Sequence, residues 1–193
     1  MLWCSNIGLS VLMATVNLLP NADVSNDWTL STGSDVFALL DDDHTGTIGS
    51  DGSKLTTTSV GDDFVVDLQN FAEAHSSIDG VQAVVRAGNN GRGRTFKIKT
   101  QLRNNATPTN IYYDEDSATQ TAQSSYKTIT FTNRTTSDGS SAWTNAELNN
   151  LRLYVEAEAH SGGTLSCTYC YVIVTYTGPV VAADNAIFFG TNF

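Results

Sequence analysis

Four stretches of this chain alternate apolar and polar residues with a period of two, and no other feature constrains the fold as tightly. Phe96, Ile98, Thr100 and Leu102 alternate with Lys97, Lys99, Gln101 and Arg103. Leu151, Leu153, Val155 and Ala157 alternate with Arg152, Tyr154, Glu156 and Glu158. Phe64, Val66 and Leu68, then Ile129 and Phe131, repeat the pattern over shorter spans. Successive strand side chains point to opposite faces, so this alternation marks strands with one buried and one wet face, as in antiparallel sheets. Turn residues separate the strands: Asp51-Gly52, Asn89-Asn90-Gly91, Asp138-Gly139 and Gly162-Gly163,. The pattern predicts about eight to ten strands.

Composition agrees. Charged residues are 16% and apolar residues 40%, and the polar share comes from Thr, Ser and Asn, which favours strands over helices. One helix is predicted, in Trp143-Thr144-Asn145-Ala146-Glu147-Leu148-Asn149-Asn150-Leu151. Thr144 at the N-cap and Glu147 three residues later form a capping box, and Trp143 with Leu148 forms a hydrophobic staple. No other stretch has helical periodicity, which excludes a doubly wound α/β fold. A chain of 193 residues is most simply one domain, and at this size it buries roughly 70% of its unfolded surface without a disulfide or metal staple.

The strand from Thr164 to Thr177 is expected to differ from the others. In regular geometry Leu165, Cys167, Tyr169, Tyr171 and Ile173 share one face, and Cys170, Val172, Val174 and Tyr176 share the other,. Both faces are apolar, which predicts a central strand covered on both sides by its own sandwich or by another subunit. The expected organisation is an N-terminal arm over residues 1–22, a sandwich over 23–177 and a C-terminal apolar arm over 178–193. Leu9, Val11 and Leu12 in the first arm, and Val180, Val181, Ile187, Phe188, Phe189 and Phe193 in the second, are the expected subunit or partner contacts. Burying each phenylalanine is worth roughly 1.5–3 kcal/mol. Packing on the chain's own sandwich and packing on a neighbour both satisfy that drive.

Charge and motifs narrow the function. Ten basic against twenty acidic residues give a net charge of -10, which repels phosphate and disfavours nucleic acid or an anionic membrane as partner. The apolar stretch Ile7–Ala14 precedes the first basic residue, Lys54, so it lacks the positive flank of a secretory signal and is too short to span a bilayer. The sequence therefore predicts a chain not exported by that route, in which the sequons at Asn105 and Asn133 carry no glycan. Cys4, Cys167 and Cys170 are too few for a disulfide framework,. Cys167-Thr168-Tyr169-Cys170 lies in a predicted strand, where positions i and i+3 face opposite ways, so the thiols are expected to be structural rather than redox-active or zinc-binding. His44, His75 and His160 are scattered, and no nucleophile elbow is present,. The acidic runs Asp41-Asp42-Asp43, Asp62-Asp63 and Asp114-Glu115-Asp116 are expected as solvated loops; the first lacks the twelfth-position Glu of a calcium loop. Arg92 and Arg94, on a glycine-rich hairpin tip, are the candidate basic contacts to an acidic neighbour. No catalytic residue, cofactor or metal site is predicted.

The order of features from residue 18 to 177 resembles a family of tailed-phage virion structural proteins. The resemblance rests on Leu19-Pro20-Asn21-Ala22-Asp23 followed by Trp28, on Val36-Phe37-Ala38-Leu39-Leu40 running into Asp41-Asp42-Asp43, and on Ile78-Asp79-Gly80-Val81 running into Val84-Val85-Arg86-Ala87. It continues with the Trp143–Leu151 element and a final strand, Tyr171–Tyr176. It implies an all-β, antiparallel sandwich of jelly-roll type with one short helix. It also implies a non-enzymatic place in the virion, as a capsid decoration (cement) protein bound to the major capsid protein and to copies of itself. A homo-oligomer is implied, with a trimer as the arrangement expected at capsid local threefolds. A tail or fibre component that reads host glycans is the alternative, with Trp28, Tyr112 and Tyr113 as candidate stacking platforms, although aromatics of this kind more often pack in the core. The segments before Met13 and after Gly178 depart from the family pattern.

Overall fold

A computed structural model of the chain describes residues 12–40, 52–90, 93–106, 109–121 and 126–179. Twelve strands, one 3₁₀ turn (Phe37–Leu39) and one short helix, α1 (Asn145–Leu148), follow one another along it. The strands form two antiparallel sheets packed face to face, an antiparallel β-sandwich of jelly-roll type. The first sheet runs β10 (Lys127–Thr130), β6 (Ser77–Asn89), β12 (Leu165–Thr177), β4 (Leu55–Thr57), β3 (Thr29–Leu30), and β1 (Met13–Leu18) also pairs with β12. The second runs β2 (Pro20–Asn26), β5 (Asp63–Leu68), β11 (Leu151–His160), β7 (Thr95–Asn104), β8 (Ile111–Asp116), with β9 (Gln120–Thr121) also on β7.

The predicted alternation becomes the core. Phe64, Val66 and Leu68 of β5, Phe96, Ile98 and Leu102 of β7, and Leu151, Leu153, Val155 and Ala157 of β11 are all buried in one cluster with Val81, Val85, Val172 and Val174 of the facing sheet. The helix forms where its caps direct it. The Glu147 amide donates to Thr144 Oγ1 at 3.2 Å, and the Thr144 amide donates to Glu147 Oε2 at 2.8 Å, so two orphan donors of the first turn are satisfied reciprocally. Trp143 and Leu148 on either side of this box are both buried, and Trp143 Nε1 donates to the Arg134 carbonyl at 2.8 Å. Between β11 and β12 the chain turns through Gly162 (φ +89) and Gly163 (φ +81), a region of backbone space that favours glycine.

Three sequence expectations change. The arm boundary at residue 22 does not hold, because Met13–Leu18 pairs with β12 of the same chain and Pro20–Asn26 pairs with β5. Pairing satisfies the backbone donors and acceptors along one edge of each strand, which a free arm would leave to water. Asp114-Glu115-Asp116 is not a loop but part of strand β8. The strand at 165–177 is central, yet only one of its faces is fully buried, for a reason that bears on the cysteines.

Candidate functional site

Strand β12 carries a β-bulge. Cys167 pairs with Ala87 and Tyr169 with Arg86, so Thr168 is the extra residue. One added residue reverses the side-chain phase of everything that follows. Leu165 and Cys167 before the bulge, and Cys170, Val172 and Val174 after it, therefore all join the core. Both thiols thus lie on the core side, where a regular strand would place them on opposite faces. Burial pushes Cys167 up to about 12 and Cys170 well above the usual thiol range, so neither is a thiolate at neutral pH and neither is a ready nucleophile.

The same phase change turns Tyr169, Tyr171 and Ile173 outward, where they are half-buried. The two tyrosine rings lie 4.9 Å apart. Their cross-strand neighbours on β6 are Arg86, Val84 and Gln82, and Asn17 of β1 sits beside Ile173. This outer face of the first sheet is aromatic and largely uncharged.

Beside it, the chain enters and leaves the sandwich at one corner. Met13 pairs with Thr177, and the Gly178 amide donates to the Leu12 carbonyl at 2.9 Å. Ser76 ties the corner down: its amide donates to the Thr177 carbonyl at 2.8 Å and its hydroxyl to the Gly178 carbonyl at 3.2 Å. Leu12 is 72% exposed and Met13 64%. Among the described residues β1 pairs with β12 alone, so within that set its other edge carries no strand, beside two large apolar side chains. Such an edge is a template for docking.

Of the expected contact residues, Leu12 stands at this corner. Leu9, Val11, Arg92, Val180, Val181, Ile187, Phe188, Phe189 and Phe193 lie outside the described residues. Arg94 turns back on its own chain: a methyl group added at Gly162 would come within 2.8 Å of its Nη1. Asp41, Asp42, Asp43 and His44 also lie outside the described residues. His75 Nδ1 is 2.8 Å from the Glu73 carbonyl, and His160 is at the far end of β11. Among the described residues no three His, Cys, Asp or Glu side chains converge as metal ligands, and no helix is long and apolar enough to cross a membrane.

The stacking platforms expected of a glycan reader are engaged inside the protein. Trp28 is 2% exposed, edge-on to Phe64 at 5.5 Å, with Nε1 donating to the Asp62 carbonyl. Tyr112 and Tyr113 pack against Trp143 at 5.2 and 6.3 Å, and the Arg134 guanidinium covers the Tyr113 ring at 4.4 Å. The sequence reading missed the Tyr169–Tyr171 face because it assumed an unbroken strand; no local signal marks the bulge.

Comparison with known proteins adds little beyond the architecture. No protein-family model and no curated protein matches the chain. Among solved structures, one described as "CBM4 structure and function" superposes with a TM-score of 0.35 at 12% identity, covering 67% of this chain and 84% of its own. The N-terminal cellulose-binding domain of a Cellulomonas fimi β-1,4-glucanase C gives a TM-score of 0.34 at 15% identity, covering 71% and 87%. Likenesses this remote carry no argument about what the present chain binds.

Proposed function

We propose that this protein is a non-enzymatic virion structural protein, an auxiliary capsid decoration (cement) protein that binds the major capsid protein and copies of itself and braces the shell. The observation that carries the reading is the corner at Leu12 and Gly178. In the sequence the two apolar flanking stretches, residues 1–11 and 180–193, adjoin this corner, where among the described residues β1 has one free edge and Leu12 and Met13 are exposed. Apolar segments and a free strand edge in one place supply a docking surface, since edge pairing contributes main-chain hydrogen bonds and the side chains contribute buried area. Internal DNA pressure separates capsomers, and a molecule bridging a seam opposes that with each contact it adds. Repetition over a symmetric lattice multiplies weak contacts by raising effective concentration. A net charge of -10 suits an outer layer that must not capture DNA.

Reconstitution tests this. A chain lacking residues 179–193, and separately a Leu12→Asp, Met13→Asp variant, are expected to keep the sandwich and lose decoration of expanded shells. Full decoration by both would end the reading. Copy number separates it from the tail or fibre alternative: a decoration protein saturates the shell lattice, whereas a tail component is present in a few copies at one vertex.

A further inference from the structure

We propose, beyond the shell-binding reading and independently of it, that a groove on the opposite sheet is a binding site for a neutral saccharide. The groove lies where β2, the end of β5, the end of β7 and the turn after α1 meet. It has a volume of about 260 Å³ and five asparagines line it: Asn21, Asn70, Asn105, Asn149 and Asn150. Leu68 and Leu151, both buried, form part of its wall.

Its chemistry is specific. A carboxamide offers two donors and one acceptor in a plane and carries no charge, which matches the paired donor and acceptor demands of vicinal hydroxyl groups. Part of this set is fixed by the protein and is preorganised. The Phe71 amide donates to Asn149 Oδ1 at 2.8 Å, Asn105 Nδ2 donates to Asn150 Oδ1 at 2.9 Å, and Asn150 Nδ2 donates to the Ala146 carbonyl at 2.7 Å. The remainder is unspent. Within the described residues the side-chain amides of Asn21 and Asn70 have no partner, and Asn149 keeps its Nδ2.

Charge selects the ligand class. Among the described residues Asp67 is the one ionisable side chain lining the groove, and its Oδ1 accepts from Arg152 Nε at 2.6 Å. Among the described residues no lysine or arginine lines the groove, and the adjacent Arg152 is committed to Asp67, so an anionic ligand would meet a carboxylate and no uncommitted cation. Size selects further. The volume falls just below that of sites for drug-sized ligands, roughly 300–1,000 Å³, which suits one sugar ring or the end of a chain. The leucines meet the apolar C–H face of such a ring. With no aromatic platform among the described residues of the groove, affinity for a single ring is expected in the millimolar range.

The test is a nuclear magnetic resonance titration of the full chain with methyl glycosides of neutral hexoses and N-acetylhexosamines, with sialic acid and a neutral peptide as comparators. The side-chain amide signals of Asn21 and Asn70 are expected to shift with at least one neutral glycoside at millimolar concentration. The double variant Asn21→Ala, Asn70→Ala is expected to bind that glycoside about tenfold more weakly, with an unchanged melting temperature, since both residues are exposed. Three results would overturn the proposal: no shift with any neutral glycoside, equal affinity in the double variant, or preference for sialic acid or the peptide. The same variant should decorate shells normally, so failure here leaves the shell-binding reading standing, and loss of decoration with binding intact would do the reverse.

Discussion

The two sheets share one core but present opposite outer faces. On the second sheet the outward-facing Arg152, Lys97, Lys99, Gln101, Arg103 and Tyr154 are each tied to a neighbour. Arg152 Nε donates to Asp67 at 2.6 Å, Lys99 lies 3.5 Å and Lys97 3.8 Å from their aspartates on β8, and Gln101 Nε2 donates to Asp114 at 2.9 Å. The Arg103 guanidinium sits 3.8 Å above the Tyr154 ring, whose hydroxyl donates to Glu156. Burial and that carboxylate hold the Tyr154 hydroxyl well above the ordinary phenol range. On the first sheet the corresponding positions are Tyr169, Tyr171, Ile173, Gln82 and the threonines of β10. The difference teaches where binding capacity resides. A face whose charges are already paired gives up those partners on docking, whereas a largely uncharged aromatic face, with Arg86 its one cation among the described positions named above, gains by being covered.

Trp143 joins the two sheets and should be the most damaging single loss. Trp143→Ala removes a buried indole and the hydrogen bond to the Arg134 carbonyl, and uncovers Tyr112 and Tyr113. A cost of about 3–5 kcal/mol is expected in denaturant unfolding; an unchanged midpoint would mean that the helix end is not part of the common core.

A smaller change of opposite sign is expected in the first sheet. Thr168, the bulge residue, is fully buried and its hydroxyl has no hydrogen-bond partner among the described residues. Thr168→Val keeps the shape and removes the unsatisfied group, so stability should rise by roughly 1 kcal/mol. A loss instead would indicate that the hydroxyl is satisfied in solution and that the bulge depends on it.

In the second sheet Asp67→Ala should cost only about 0.2–1 kcal/mol, because the Arg152 pair is partly exposed and water screens it,. The effect should shrink as salt is added. A large, salt-insensitive loss would show that the ladder holds the sheet together and would erase the contrast drawn between the faces.

The smallest expected effect lies away from both faces. The backbone amides of Ser141 and Ser140 donate to Asp138 Oδ1 at 2.6 and 2.9 Å, and together with both serine hydroxyls they hold the carboxyl down at about 2. A folded-state value below the unfolded one means the contribution is complete above the ordinary aspartate range near 4 and is lost as pH falls towards 2. The Ser140 and Ser141 amide resonances should titrate with a midpoint near 2, and that transition should vanish in Asp138→Asn.

Much of this architecture was legible residue by residue. Period-two runs at 96–102 and 151–157 became β7 and β11, and Thr144 with Glu147 formed the capping box the spacing requires. Other readings failed where strand register or distant contacts decided the outcome. The alternation rule holds only while the register holds, and the bulge at Thr168 shifts it, moving both cysteines to the core side and Tyr169 and Tyr171 outward. For Tyr112 and Tyr113 the reading as aromatics packed on the core holds, since both pack against Trp143, a contact no neighbouring residue in the sequence announces. The asparagine groove was invisible because its lining comes from positions 21 to 151, brought together by four separate elements.

What the sequence determined by itself was therefore everything governed by neighbours a few residues apart: strand periodicity, turn glycines, helix caps, and a net negative charge. Only the tertiary structure decided which faces are spent and which are free, and that Leu12 meets Gly178 at one corner. Those outcomes depend on hydrogen-bond register between strands far apart in the chain, and a single inserted residue is enough to reverse which side of a strand meets water.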